Sequence, residues 1–404
     1  MRLITVAFAL SLAACSSTVI QATPDTSPAD ATSTDTAVTD APSVDAIAPD
    51  ATSPDATIDA VAPDALDVIT VDTSSPDVAE PDVIAPDVSA PDVAIDTGAP
   101  DAAPPRDLAA MGPNRVAIWT GAITGTDGTA RVFYPMTSGT ERYPLVVFAH
   151  GFQLSVSNYD RLLAHIASWG YVVASVGYPG TILSVDHRNV PAALSAARRV
   201  FLAGGPSGFP AGARVDATRA VAMGHSLGGK GAVMAVLDDT AFVAGLALDP
   251  VDDNPAPLGR ITDATPSIAP ERMSSLMRPL GLFGATQSRC SSLGTSCSPE
   301  SGDYRQFAAA APSTVTVAVW PLRNFGHMDF VDPGCGLICN TCVAGAAPID
   351  SRSAALRELS VSFLERFTRN DTSLDGAIRG ARRDALMRDG VLWDGTAATL
   401  PPCR

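Results

Sequence analysis

Lysine is nearly missing from this 404-residue chain: Lys230 is the only one among 27 basic residues, against 43 acids and a net charge of −16. Nothing resembles a basic stripe with interleaved aromatics, so a nucleic-acid role has no support. Aromatic residues are missing altogether from residues 16 to 107, a stretch that holds 19 of the 43 acids and a single base, Arg106. Such a segment cannot bury enough apolar surface to offset its ordering entropy. Long apolar runs are also lacking. The one near the start, Leu3 to Leu12 behind Arg2, is too short to span a bilayer and has the build of an export signal. Histidine is scarce, with five in the chain, which makes elimination among them possible.

The leader ends Leu12-Ala13-Ala14-Cys15, which resembles a bacterial lipobox. That resemblance implies cleavage before Cys15 and lipidation there, and two or more acyl chains anchor a protein stably to a membrane. The alternative is an ordinary signal peptide cut near Ala14. Either way the mature chain is expected to be exported, membrane-anchored in the first case. Residues 16–110 form an acidic linker rich in Ala, Pro, Asp and Thr, with Asp25, Asp30, Asp35, Asp40, Asp45, Asp50 and Asp55 in five-residue steps. An extended, disordered stalk is expected, holding a domain off a membrane. Six cysteines remain, Cys290, Cys297, Cys335, Cys339, Cys342 and Cys403, and an even number in an exported protein favours three bridges. Spacing does not fix their pairing, although Cys290 and Cys297 would close an easy loop. No histidine or fourth cysteine stands at ligand distance from Cys335, Cys339 and Cys342, so no metal site is expected.

Residues 111–404 carry the folded domain. Arg115 to Ile123 and Ala130 to Tyr134 read as early strands around a turn, and Leu145 to Phe148 as a fully apolar one. Tyr159, Leu162, Leu163, Ile166 and Trp169 recur at helical spacing up to Gly170, a natural stop. Strands follow at Tyr171 to Val176, Ala220 to Met223, Val243 to Leu248, Leu280 to Phe283 and Val315 to Trp320, with a helix at Val190 to Leu202. A last helix carries Leu356, Leu359, Phe363, Leu364 and Phe367 on one face. Short buried strands alternating with helices specify an α/β fold, a mostly parallel central sheet with helices on both faces.

The chemistry centres on Gly224-His225-Ser226-Leu227-Gly228, which follows an apolar run and opens into small residues at helical spacing. A serine on so tight a strand-to-helix turn leaves no room for a Cβ two residues to either side, the build of a nucleophile elbow. A serine nucleophile needs a base, and the base an acid to hold its tautomer. In an α/β-hydrolase fold both follow the serine in sequence, and His327 is the one histidine that does. His150 reads as a buttress rather than a base, and the side chain of His225 points away from that of the nucleophile. The acid's commonest position, after Leu280 to Phe283, offers no carboxylate. Asp249, leaving the preceding strand, is the candidate, with Asp252 and Asp253 as rivals. Oxyanion donors are expected from the backbone of Leu227, at a helix N-terminus, and of Phe152 after the Leu145 strand, with Gln153 next. This chemistry asks for no metal or organic cofactor.

Five blocks in order, Val147-Phe148-Ala149-His150-Gly151-Phe152, Leu163 to Ser168, Gly224 to Lys230, Asp249-Pro250-Val251-Asp252 and Gly326-His327-Met328-Asp329, resemble the chlorophyllase family of α/β-hydrolases. The resemblance covers most of residues 140 to 345. It implies a carboxylesterase with Ser226, Asp249 and His327 at the triad positions, acting on a small-molecule or lipid-like ester, and a monomer is expected. One departure is Leu227, apolar where the plant members have arginine. Polyester and acyl-lipid hydrolases of cutinase-like type share the His-Gly-Phe and Gly-His-Ser elements, and a non-catalytic tethered binding module is the remaining alternative.

Overall fold

The computed structural model describes residues 106–181, 183–210, 213–252, 262–292, 295–346 and 348–403. The leader, Cys15 and the linker up to residue 105 lie outside the described residues, as does Asp253. The chain divides into two units, Met1–Ala94 and Ile95–Arg404, and everything described belongs to the second.

Alternation along the apolar runs builds a two-sided core. In β3 (Tyr143–Ala149) every residue is buried. Leu145, Val147 and Ala149 face one layer, and Val146 and Phe148 face the other. The first layer is made by α2 (Asn189–Leu202) and α3 (Leu227–Asp238), which contribute Leu194, Ala197, Val233 and Met234. The second is made by α1 (Asp160–Ser168) and α5 (Asp350–Thr368), with Leu163, Ile166, Leu359 and Phe363. Each of the larger of these side chains contributes about 1.5–3 kcal/mol when fully buried, so both faces of the sheet are held by the hydrophobic effect.

The other strands are β1 (Val116–Gly121), β2 (Asp127–Pro135), β4 (Val172–Gly177), β5 (Val215–His225), β6 (Phe242–Leu248) and β7 (Leu280–Ala285). A two-stranded hairpin, β8 (Ser291–Ser292) with β9 (Thr295–Ser296), precedes α4 (Tyr304–Ala310) and β10 (Val317–Leu322). The main sheet has eight strands in the order β1-β2-β4-β3-β5-β6-β7-β10. β1 and β2 pair antiparallel, as do β2 and β4; the rest is parallel. This is the α/β-hydrolase fold. Its consequence for the site is that β3, β5, β6, β7 and β10 lie side by side with their C-terminal ends at one edge.

Several boundaries move. β5 starts at Val215, five residues before the apolar run at Ala220, because Tyr143 and Pro144 of β3 extend the pairing to Val215 and Asp216. β10 starts at Val317 rather than Val315, whose N–H closes a turn onto Pro312. Residues before Met111 join the domain: Leu108 is buried, its carbonyl accepts from His165 Nε2, and Arg106 pairs with Glu365. Past α5 come α6 (Asp375–Ile378) and α7 (Ala381–Arg388), which no apolar periodicity announces.

The six cysteines form three bridges, Cys290–Cys403, Cys297–Cys342 and Cys335–Cys339. The easy loop between Cys290 and Cys297 is therefore not the one that closes. Cys290 leaves the β7 loop toward the C-terminal segment, where Gln287 Nε2 also donates to Pro402 O at 3.2 Å. Cys297 sits beyond the β8–β9 hairpin and reaches the segment that follows His327. Among the described residues no helix is long and apolar enough to cross a membrane.

Candidate active site

At the end of β5 the backbone turns sharply. Ser226 has φ 56° and ψ −119°, a strained conformation for a residue with a side chain, and it is locked at both ends. Its N–H donates to Leu248 O of β6, and its carbonyl accepts the first helical bond of α3, from Lys230 N, each at 2.9 Å. The flanking glycines have the steric role expected of them. A Cβ on Gly224 would lie 2.2 Å from Gly228 O, and one on Gly228 would lie 2.1 Å from Ala149 O. The first-turn N–H of Leu227 lies outside the helical ladder, at the positive end of α3.

The loop after β3 presses against this elbow. A Cβ on Gly151 would stand 3.3 Å from Ser226 Cβ, so the chain carrying Phe152 runs beside the serine. Phe152 is half-buried, whereas Gln153 is exposed with φ 60°. His150 is engaged by contacts of its own. Its ring stacks on Tyr178 at 4.5 Å, its Nδ1 donates to Gly151 O at 2.8 Å, and burial lowers its pKa.

Asp249 leaves β6 with φ 42°, fully buried, and its N–H pairs with Phe283 O of β7. Its carboxylate thus lies over the end of β7, where three donors meet it. Ala285 N donates to Oδ1 at 3.0 Å, Ser288 Oγ to Oδ2 at 2.5 Å, and His327 Nδ1 to the same Oδ2 at 2.7 Å. These three donors stand in for the water that burial takes from the carboxylate. The imidazole that donates through Nδ1 has its Nε2 lone pair left as an acceptor.

His327 is 5% exposed and begins a short 3-10 turn after β10, His327–Phe330. Asp329 holds that turn, accepting Gly326 N at 2.7 Å and Gly345 N at 3.0 Å, while burial raises its pKa. The tight approach of Gly345 has no room for a side chain, because a Cβ there would overlap the Asp329 carboxylate.

The structure thus brings Asp249 and His327 into one hydrogen bond and sets the Gly151–Phe152 turn beside Ser226. The rival Asp252 is engaged elsewhere. It forms a buried ion pair with Lys230 Nζ at 3.0 Å and accepts from Ser267 Oγ, Ile268 N and Ala269 N. Sequence reasoning missed Ser288, although it stands in the loop where the acid of this fold most often lies. It also missed the supporting role of Asp329, two residues beyond His327. Among the described residues no group of three or more His, Cys, Asp or Glu is arranged to hold a metal ion.

Comparison with known proteins agrees with the fold. The model of the family described as Chlorophyllase matches residues 120–384. The chain is 27% identical over 201 residues to chlorophyllase-1, chloroplastic, of Citrus unshiu, covering 49% of this chain and 58% of that protein. It is 25% identical over 252 residues to chlorophyllase type 0 of Chenopodium album, covering 57% and 69%. A bis(hydroxyethyl) terephthalate hydrolase of Streptomyces coelicolor is 26% identical over 253 residues, covering 62% and 65%. The chain spans somewhat over half the length of the citrus relative.

Proposed function

Because this chain belongs to the chlorophyllase family, we propose that it is a serine hydrolase of carboxylic esters. In this reading Ser226 is the nucleophile, His327 the general base and Asp249 the acid that orients and stabilises the imidazole. The carrying observation is the 2.7 Å hydrogen bond from His327 Nδ1 to Asp249, which supports the tautomer a base needs. His327 Nε2 takes the hydroxyl proton as Ser226 Oγ attacks the ester carbonyl. The tetrahedral oxyanion is met by the N–H groups of Leu227 and Phe152. Collapse expels the alcohol, protonated by His327, and water then enters by the same route to release the acid and free Ser226.

Apolar side chains near the elbow, Leu227 and Phe152, suit an ester with an apolar or aromatic acyl part. The Streptomyces relative, named for a terephthalate diester, favours a second reading in which the substrate is an aromatic ester or a polyester built from one. Export belongs to the same proposal: three disulfides suit an oxidising compartment, and Cys15 would carry the lipid anchor.

Hydrolysis of a chromogenic butyrate ester tests the mechanism. Ser226→Ala is expected to reduce kcat by roughly four or more orders of magnitude and to abolish labelling by a fluorophosphonate. A folded Ser226→Ala protein with unchanged turnover would overturn the proposal, and a folded wild-type protein that takes no label would favour a binding module. Comparing the butyrate ester, bis(hydroxyethyl) terephthalate and chlorophyll separates the substrate readings.

A further inference from the structure

One imidazole at the centre of the site has no part in that mechanism. His225, the last residue of β5, is 0% exposed, so it touches neither solvent nor substrate. Both of its nitrogens are engaged. Nε2 lies 3.0 Å from His327 O, and Nδ1 lies 2.8 Å from Tyr159 Oη. Tyr159 Oη also receives the N–H of Gly151 at 3.0 Å.

The sense of every bond follows from one of them. A carbonyl oxygen only accepts, so Nε2 carries the proton and donates to His327 O. Nδ1 is then an acceptor, and Tyr159 donates to it. The phenol oxygen accepts from Gly151. The result is an unbroken relay, Gly151 N–H to Tyr159 O–H to His225 Nδ1, and His225 Nε2–H to the His327 carbonyl.

We propose that Tyr159 and His225 are positioning residues for the reaction, a buried hydrogen-bonded strut that sets the Phe152 loop at a fixed distance from the backbone of His327. This rests on the triad reading above. The strut joins three strand ends, β3, β5 and β10, that carry the oxyanion loop, the nucleophile and the base. Packing around it is close: Phe330 lies 5.5 Å and the His327 ring 4.6 Å from the His225 ring, and a Cβ on Gly151 would come within 3.1 Å of His225 Nδ1. A phenylalanine would fill such a space without the desolvation cost of an imidazole. What the imidazole adds is one acceptor and one donor at a fixed separation. Burial first, and the neighbouring His327 second, lower the His225 pKa, which keeps the ring in the neutral form that this pattern requires. Acyl transfer is sensitive to such placement, because a displacement of about 1 Å between oxyanion donors and reacting atoms costs on the order of a hundredfold in rate.

The test compares Tyr159→Phe, His225→Phe and His225→Gln on the chromogenic ester, with thermal unfolding to establish folding and Ser226→Ala as control. Glutamine can accept from Tyr159 through Oε1 and donate to His327 O through its amide, whereas phenylalanine does neither. Both Phe variants are expected to lose about 10- to 100-fold in kcat with KM within about threefold of wild type, and His225→Gln to recover at least about fivefold over His225→Phe. Wild-type kcat in folded Phe variants, a loss confined to KM, or a Gln variant no better than Phe would overturn the strut. Should His225→Phe not fold, Tyr159→Phe, which keeps the ring and removes only the hydroxyl, decides alone. Activity retained by Ser226→Ala would overturn the triad instead, whatever the strut variants do.

Discussion

Replacing Asp249 with asparagine tests the acid through the orientation that the surrounding donors impose on the new amide. Three donors converge on the native carboxylate, Ala285 N on Oδ1 and both Ser288 Oγ and His327 Nδ1 on Oδ2. An amide offers one acceptor and one donor, so it must face one side wrongly. With its NH2 toward Ala285, two donors would oppose each other, and that backbone N–H, fixed between β7 and its loop, would be left unsatisfied at about 1–3 kcal/mol. With its oxygen toward Ala285, the NH2 faces Ser288 and His327. The serine hydroxyl can rotate to accept, and the imidazole can move its proton to Nε2, so the second orientation is favoured. It leaves His327 in the tautomer that cannot take a proton from Ser226, and it removes the negative charge that stabilises the imidazolium. Asp249→Asn should therefore retain its fold while losing roughly 10⁴-fold in kcat, about 5 kcal/mol of barrier. The assay is steady-state hydrolysis of the chromogenic ester, with thermal unfolding alongside. A folded variant within tenfold of wild type, in a protein that Ser226→Ala inactivates, would refute the assignment and turn attention to Asp253.

Ser288→Ala removes one charge-assisted donor but keeps the carboxylate, so a loss of about 1.5–3 kcal/mol in stability is expected, read by urea unfolding, with a smaller fall in kcat than for Asp249→Asn. Lys230→Met leaves the buried Asp252 carboxylate without its counter-ion and should destabilise the fold by about 3–5 kcal/mol, whereas adding Asp252→Asn should cost less than the sum of the two single changes. Acid should also weaken the fold. Burial chiefly lowers the pKa of His165 and of His187 to about 4, against about 6.5 in the unfolded chain. Between those values the unfolded state binds the extra proton, so the stability these groups confer is complete above pH 6.5 and lost as pH falls toward 4. It amounts to about 1–3 kcal/mol each after discounting for solvent screening. Unfolding at pH 7.5 and pH 4.5 checks this, and a flat profile would contradict it.

The strands and the elbow were legible because their cause is local. An apolar run such as Leu145 to Phe148 can be buried on both sides only as an inner strand, and the crowding at Gly224 and Gly228 depends on residues within the same turn and the strand beside it. His327 stood out as the candidate base by elimination among five histidines, and the structure sets its Nδ1 against Asp249. What depends on distant partners was not. Cys290 pairs across 113 residues with Cys403 rather than with its neighbour Cys297, since sequence spacing says nothing of where the C-terminal segment lies. α7 has no apolar stripe of its own, with Leu386 its one buried residue. The strut through Tyr159 and His225 joins residues 66 positions apart, and nothing in either residue's neighbourhood marks the other.

The turn after β7 offers no carboxylate, and the candidate acid, Asp249, stands at the end of β6. Yet the Asp249 N–H pairs with Phe283 of β7, and its carboxylate accepts from Ala285 and Ser288, both on β7 or in its loop. The positive φ of 42° at Asp249 is what carries it across. In the proposed triad the acid therefore stands at the C-terminal end of β7, where this fold most often places it, and β6 is the strand that supplies it. β7 and its loop contribute hydrogen-bond donors instead of charge, and on the proposed mechanism that is how Ser288 would bear on the reaction although it stands 39 residues after Asp249 in the chain.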